Sequence, residues 1–152
     1  MKRIVVLTAA CLLGGVTAVF AAGSARTLAV YKTGDHFVKC PAGVHAKTGC
    51  VELTGKALTS THWPELKRFA VVDAASPHIP AGCLTATTTG TLSGKDDVVR
   101  FTATGYYCPD TDTAWYRLSF DPADAKRFGL PRHGRIRYIG KNNTETFRAS
   151  VK

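Results

Sequence analysis

Beyond residue 25 the apolar positions recur mostly at every second residue, in short runs separated by clusters of Gly, Pro, Asp, Asn and Ser. That period belongs to half-buried strands. Strands are expected near Thr27–Lys32, Phe37–Lys39, Cys50–Thr54, Phe69–Asp73, Cys83–Leu92, Val98–Tyr107, Ala114–Phe120, Arg135–Ile139 and Thr146–Val151. One short helix is expected at Pro122–Phe128: Asp121 can cap it, proline suits its first position, Asp124 complements the N-terminal dipole and Gly129 can end it. A second helical turn is expected from Pro64, and Ala74–Gly82, which holds Pro77 and Pro80, reads as a loop.

The stretch from Cys83 to Phe120 fixes its own register. With Ser93–Asp97 as a turn, one face carries Leu92/Val99, Gly90/Phe101, Thr88/Ala103, Ala86/Gly105 and Leu84/Tyr107, and the other carries threonines with Arg100, Tyr106 and a Cys83/Cys108 pair. A register that sorts apolar from polar so cleanly is the one that a single buried face selects. It also sets Phe101 over Gly90, where an aromatic ring can cover a glycine. With Cys108–Thr113 as the next turn, Tyr107/Ala114, Gly105/Tyr116, Ala103/Leu118 and Phe101/Phe120 extend the apolar face into a three-stranded meander. The chain is therefore expected to be mainly β, a small antiparallel barrel or sandwich with a meander at 83–120 and one helix at 122–128.

Composition adds an address. Lys2 and Arg3 precede an apolar stretch from Ile4 to Ala22, and Val19-Phe20-Ala21 offers the small-residue spacing of a secretory cleavage site, so residues 1–22 read as a signal peptide. Gly14 and Gly15 interrupt the stretch, which argues against a retained membrane anchor, and Thr8-Ala9-Ala10 ahead of Cys11 lacks the leucine of a lipidation site. A secreted or periplasmic protein follows, with no stable membrane insertion once the signal is cleaved and a single β-rich domain over 26–152. Four cysteines remain, an even number that reads as two disulfides with three possible connectivities. The meander register favours Cys83–Cys108 and leaves Cys40–Cys50 by elimination; the longer loop should stabilise by roughly 3–4 kcal/mol.

Charge is uneven. Residues 24–116 hold 9 basic and 8 acidic groups, whereas 117–152 hold 9 basic and 3 acidic, and no acid occurs from Lys126 to Lys141. Arg127, Arg132, Arg135, Arg137 and Lys141 are thus candidates for binding an anion, arginine being suited to bidentate contacts with carboxylate, sulfate or phosphate. The plainer reading is an edge strand kept soluble by its charges. Arg100, Tyr106, Trp115 and Arg117, on the polar face of the meander, form a second candidate group that could stack on a ligand and grip an anion; the plainer and stronger reading is that the rings lie under a loop.

Conventional chemistry is thin. GxSxG, HExxH and P-loop motifs are absent, and the histidines His36, His45, His62, His78 and His133 have no ligand spacing. No cofactor or metal is implied: Cys40, His45 and Cys50 resemble a metal cluster only superficially, and Asp110-Thr111-Asp112 is explained by a turn. The leading reading is an exported, non-catalytic binding protein for an anionic polymer or an acidic protein. One form of it is an inhibitor or immunity protein of a secreted enzyme, plugging its target with the Cys40–Cys50 and Ala74–Gly82 loops. Nucleic acid would fit the charge, but no binding motif supports it. The alternative is a small secreted phosphodiesterase or ribonuclease in which His133, with Glu65 or Glu52 as carboxylate partner, acts beside Arg135 and Arg137.

Overall fold

The computed structural model describes residues 26–46, 49–73 and 76–149. Eight strands follow one another: β1 (Arg26–Val38), β2 (Gly49–Ala57), β3 (Glu65–Val72), β4 (Leu84–Ser93), β5 (Val98–Cys108), β6 (Thr113–Phe120), β7 (His133–Ile139) and β8 (Thr144–Ala149), with helix α1 (Pro122–Phe128) between β6 and β7. Each strand pairs antiparallel with the next and β8 returns to β1, so the sheet closes into an up-and-down barrel. Closure decides between the barrel and the sandwich that the sequence left open. The expected export signal lies outside the described residues, as do Ala74 and the end of the last expected strand.

Alternation drives the closure. Val99, Phe101 and Ala103 on β5, Ala114, Tyr116 and Leu118 on β6, and Ile136 and Tyr138 on β7 point into the barrel and form one core with Val30, Leu66 and Phe147. The meander has the expected register throughout, from Leu84 opposite Tyr107 and Leu92 opposite Val99 to Phe101 opposite Phe120. A Cβ placed on Gly90 would stand 2.5 Å from the Phe101 ring, so the glycine is what lets that ring lie flat across its neighbour. Both disulfides form as expected, Cys40–Cys50 with Cα atoms 5.2 Å apart and Cys83–Cys108 with Cα atoms 4.1 Å apart.

The two ends of the barrel differ. At one end α1 follows β6: Asp121 accepts the amide N–H groups of Ala123 and Asp124, and Gly129 ends the helix in a left-handed conformation at φ 59°. Phe128 then meets Trp63 from the β2–β3 connection edge to face, with ring centres 5.5 Å apart. That end is closed. At the other end lie the β1–β2, β3–β4, β5–β6 and β7–β8 connections, and both disulfides brace this rim.

Three expectations need correction. The two separate strands Thr27–Lys32 and Phe37–Lys39 are one strand, because Thr33-Gly34 forms a bulge between Lys32 and Gly34 without ending the pairing to β2. The extra residue switches the inward side chains from Val30 and Lys32 to Asp35 and Phe37, the normal consequence of a bulge in a two-residue repeat. The helical turn at Pro64 is absent: the Pro64 carbonyl accepts the Ala57 N–H at 2.7 Å and closes the β2–β3 hairpin. Finally, β3 begins at Glu65 and β8 at Thr144, each earlier than expected, because each carries an inward charge, Arg68 and Glu145, that interrupts the apolar alternation.

Candidate functional site

The ladder between β6 and β7 joins the two sequence candidates into one surface. Arg117 stands opposite Arg135 and Trp115 opposite Arg137, while Tyr106 of β5 stands opposite Trp115. The β7–β8 ladder adds Arg148 opposite Arg135. Three arginines therefore lie side by side on adjacent strands, about 10 Å across at the usual strand spacing. All three are exposed, and among the described residues none of Arg117, Arg132, Arg135, Arg137 and Arg148 forms an ion pair.

Trp115 is 39% exposed, so no loop covers it. The Arg137 guanidinium lies 4.5 Å from its ring centre, a stacking that holds the arginine while leaving its N–H edges toward solvent. Beside the row, His133 Nδ1 is 3.1 Å from the Ser119 hydroxyl, and a shallow groove runs past Thr102, Thr104, Arg117, Ser119, His133 and Arg135. Arg132 and Lys141 are exposed just before and just after β7, at the two ends of this face.

Other basic candidates are engaged elsewhere. Arg100 makes a bidentate pair with Asp124 on α1, through Nε at 2.9 Å and Nη2 at 3.0 Å, and its amide donates to the same carboxylate at 2.9 Å. These contacts, the side-chain bonds foremost, hold the Asp124 carboxyl below its usual pKa and raise that of Arg100. They tie the helix to β5. Arg127 pairs with Asp97 at 2.8 Å. Arg100 and Arg127 thus fasten the closed end, whereas Arg117, Arg135, Arg137 and Arg148 remain open to a partner.

His133 and Glu65 are not brought together. Glu65 is on β3 and Glu52 on β2, while His133 is on β7, so an eight-membered ring places β3 diametrically opposite β7; all three side chains are exposed on the outer wall. The Cys40–Cys50 and β3–β4 loops both sit on the open rim. Among the described residues no three His, Cys, Asp or Glu gather into a metal site, and no helix is long and apolar enough to cross a membrane. Two disulfides fit an oxidising compartment.

Sequence reasoning missed two groups. Arg148 was invisible because its place beside Arg135 depends on the β7–β8 register. The second group is internal: Arg68 and Glu145 meet across the lumen with Nη2 to Oε1 at 2.6 Å, and the Arg68 guanidinium lies 5.2 Å from the Tyr116 ring centre. Burial pushes the Glu145 carboxyl up, and the Arg68 charge offsets this only in part. Nearer the rim, Tyr107 and Tyr138 both donate to Asp112, at 3.0 and 3.3 Å. Burial, and then the Asp112 contact, push the Tyr107 phenol up to about 12. Lys32 pairs with Asp35 at 2.7 Å; burial lowers its pKa, but hydrogen bonding to Asp35 and Tyr138 raises it further than burial depresses it.

The chain matches no family model, no curated protein and no solved structure.

Proposed function

We propose that the protein is an exported, non-catalytic binding module, secreted or periplasmic, that holds an anionic partner on the outer face of β6–β8. The partner class is an anionic envelope polymer or an acidic protein surface. The observation that carries this reading is the Arg117–Arg135–Arg148 row. Like charges directly opposite on neighbouring strands destabilise a sheet, and the carboxylates that could relieve them are engaged elsewhere or turned inward. Edge protection does not account for the row either, since β7 is paired on both sides. A closed barrel has no strand edge to guard. What remains is recognition: three guanidinium groups at strand spacing suit repeated carboxylates, sulfates or phosphates, and Trp115 with Tyr106 offers a stacking surface alongside. Outward arginines also speak against a lipid-facing barrel, whose outer band is apolar.

The hydrolytic alternative has only part of its machinery in one place: His133 lies beside Arg135 and Ser119, with its carboxylate partners on the far wall. An acidic protein target would suit the inhibitor form, with the two rim loops as further contacts.

The test is retention on heparin and on phosphocellulose. The protein should bind at low salt and elute at moderate salt as screening takes effect, and the Arg117→Ala, Arg135→Ala, Arg148→Ala triple variant should pass through unretained. Equal retention of the triple variant would remove this face as the site.

A further inference from the structure

The open end of the barrel holds a cavity of about 430 Å³, within the size range of small-molecule sites. Its two flanks differ in chemistry. Val51, Leu53, Ala70, Val72 and Leu84, from β2, β3 and β4, make an apolar wall; Lys32, Tyr107, Tyr138 and Asp112 make a polar one. Arg68 is the lining residue of β3 farthest from the rim, as Tyr116 is of β6, so these two mark the inner end.

Hydrogen-bond supply and demand in this lumen are unequal. Asp35 already takes Lys32, and Asp112 already takes two phenols. Glu145 binds one edge of Arg68 and keeps a single unpartnered oxygen, Oε2, whereas Arg68 keeps two unpartnered nitrogens, Nε and Nη1. Arg68 is buried to all but 2% of its side-chain surface. Three N–H groups on those nitrogens face one free acceptor, and a buried donor without a partner is unfavourable. An incoming cation finds each carboxylate near the cavity already holding a donor. Those nitrogens have essentially no exposed surface, so an incoming carboxylate meets these unpartnered donors once the Arg68 side chain turns toward the cavity.

We propose that this cavity binds a small amphiphilic carboxylate, with its hydrocarbon body against the β2–β4 wall and its carboxylate completing the Arg68 guanidinium. The site is separate from the outer arginine row: one lies in the lumen and the other on the wall.

Calorimetric titration with decanoate and with decyltrimethylammonium tests this. Decanoate should bind saturably at one site per chain, and the cationic amphiphile of the same chain length should not compete. Leu84→Trp, which crowds the apolar wall, should weaken binding. The paired replacement Arg68→Leu with Glu145→Leu, which removes both buried charges together, should weaken decanoate by at least about tenfold while the protein still unfolds cooperatively. If the paired variant fails to fold, Leu84→Trp and the charge comparison on the unaltered protein still decide. Equal binding of both amphiphiles, no saturable binding, or decanoate binding that is unchanged by Leu84→Trp but lost with Arg117→Ala and Arg135→Ala would overturn the proposal. In the last case the outer face would be the site, and its own reading would stand.

Discussion

Arg68 and Arg135 are both strand arginines, one turned into the lumen and the other out to solvent, and opposite balances hold them there. Arg68 has lost its water and is held by Glu145 and the Tyr116 ring; without them its burial would be prohibitive. Arg135 keeps its water, has Arg117 and Arg148 on either side and no carboxylate partner among the described residues. The contrast teaches that a basic chain is not uniformly available to anions. Arg100 and Arg127 serve the fold through named acids, Arg68 gives only one edge of its guanidinium to Glu145, and Arg117, Arg135 and Arg148 have no acid among the described residues.

The largest test of that contrast is Arg68→Met alone. It strands Glu145 in the interior and should lower unfolding free energy by about 3–5 kcal/mol in denaturant titration, most of it recovered when Glu145→Leu is added. A loss below about 1 kcal/mol, the scale of an exposed pair, would mean that the inner pair behaves like a surface one and the distinction would fail.

The pH dependence of stability should sharpen it further, because the two acids shift in opposite directions. Asp124 is held below its usual 3.8, so its contribution is complete above that value and is lost as pH falls through its folded pKa. Glu145 is raised above its usual 4.5, so its contribution weakens as pH rises from 4.5 towards its folded pKa. Unfolding free energies measured across pH should accordingly show Asp124→Asn flattening the acid limb and Glu145→Gln flattening the slope above 4.5. The same limb responding to both replacements would show that the two carboxyls do not titrate as their surroundings dictate.

The smallest expected effect on stability is at the outer row. Replacing Arg135 and Arg148 with Thr removes a like-charge opposition and should leave the melting transition unchanged or raise stability by about 0.5 kcal/mol. A loss of more than about 1 kcal/mol would assign those arginines to the fold, and with it remove the main reason to read them as a binding surface.

Much of this architecture was legible because it is local. The β4–β5 and β5–β6 registers, the Cys83–Cys108 bridge, the helix limits at Asp121 and Gly129 and the Phe101 ring over Gly90 all follow from alternation between neighbouring strands and short turns. The misreadings share a cause: Arg68 and Glu145 stand at inward positions and make β3 and β8 look polar at their starts, while Thr33-Gly34-Asp35 has the composition of a turn and is a bulge. The candidate site was half legible. Trp115, Arg117, Arg135 and Arg137 could be singled out as two groups, but the segment containing α1 separates β6 from β7, so no turn fixed the register that unites them.

The sequence alone determined where most strands lie, how β4, β5 and β6 pair and which cysteines meet, because a two-residue repeat and a short turn leave one register that buries an apolar face. Only the tertiary structure decided that β8 closes onto β1, that Arg68 finds Glu145 across the lumen, and which arginines stand without a partner. Those outcomes depend on ring closure and on contacts between residues far apart in the chain, 77 positions for the inner pair. No local pattern encodes that distance.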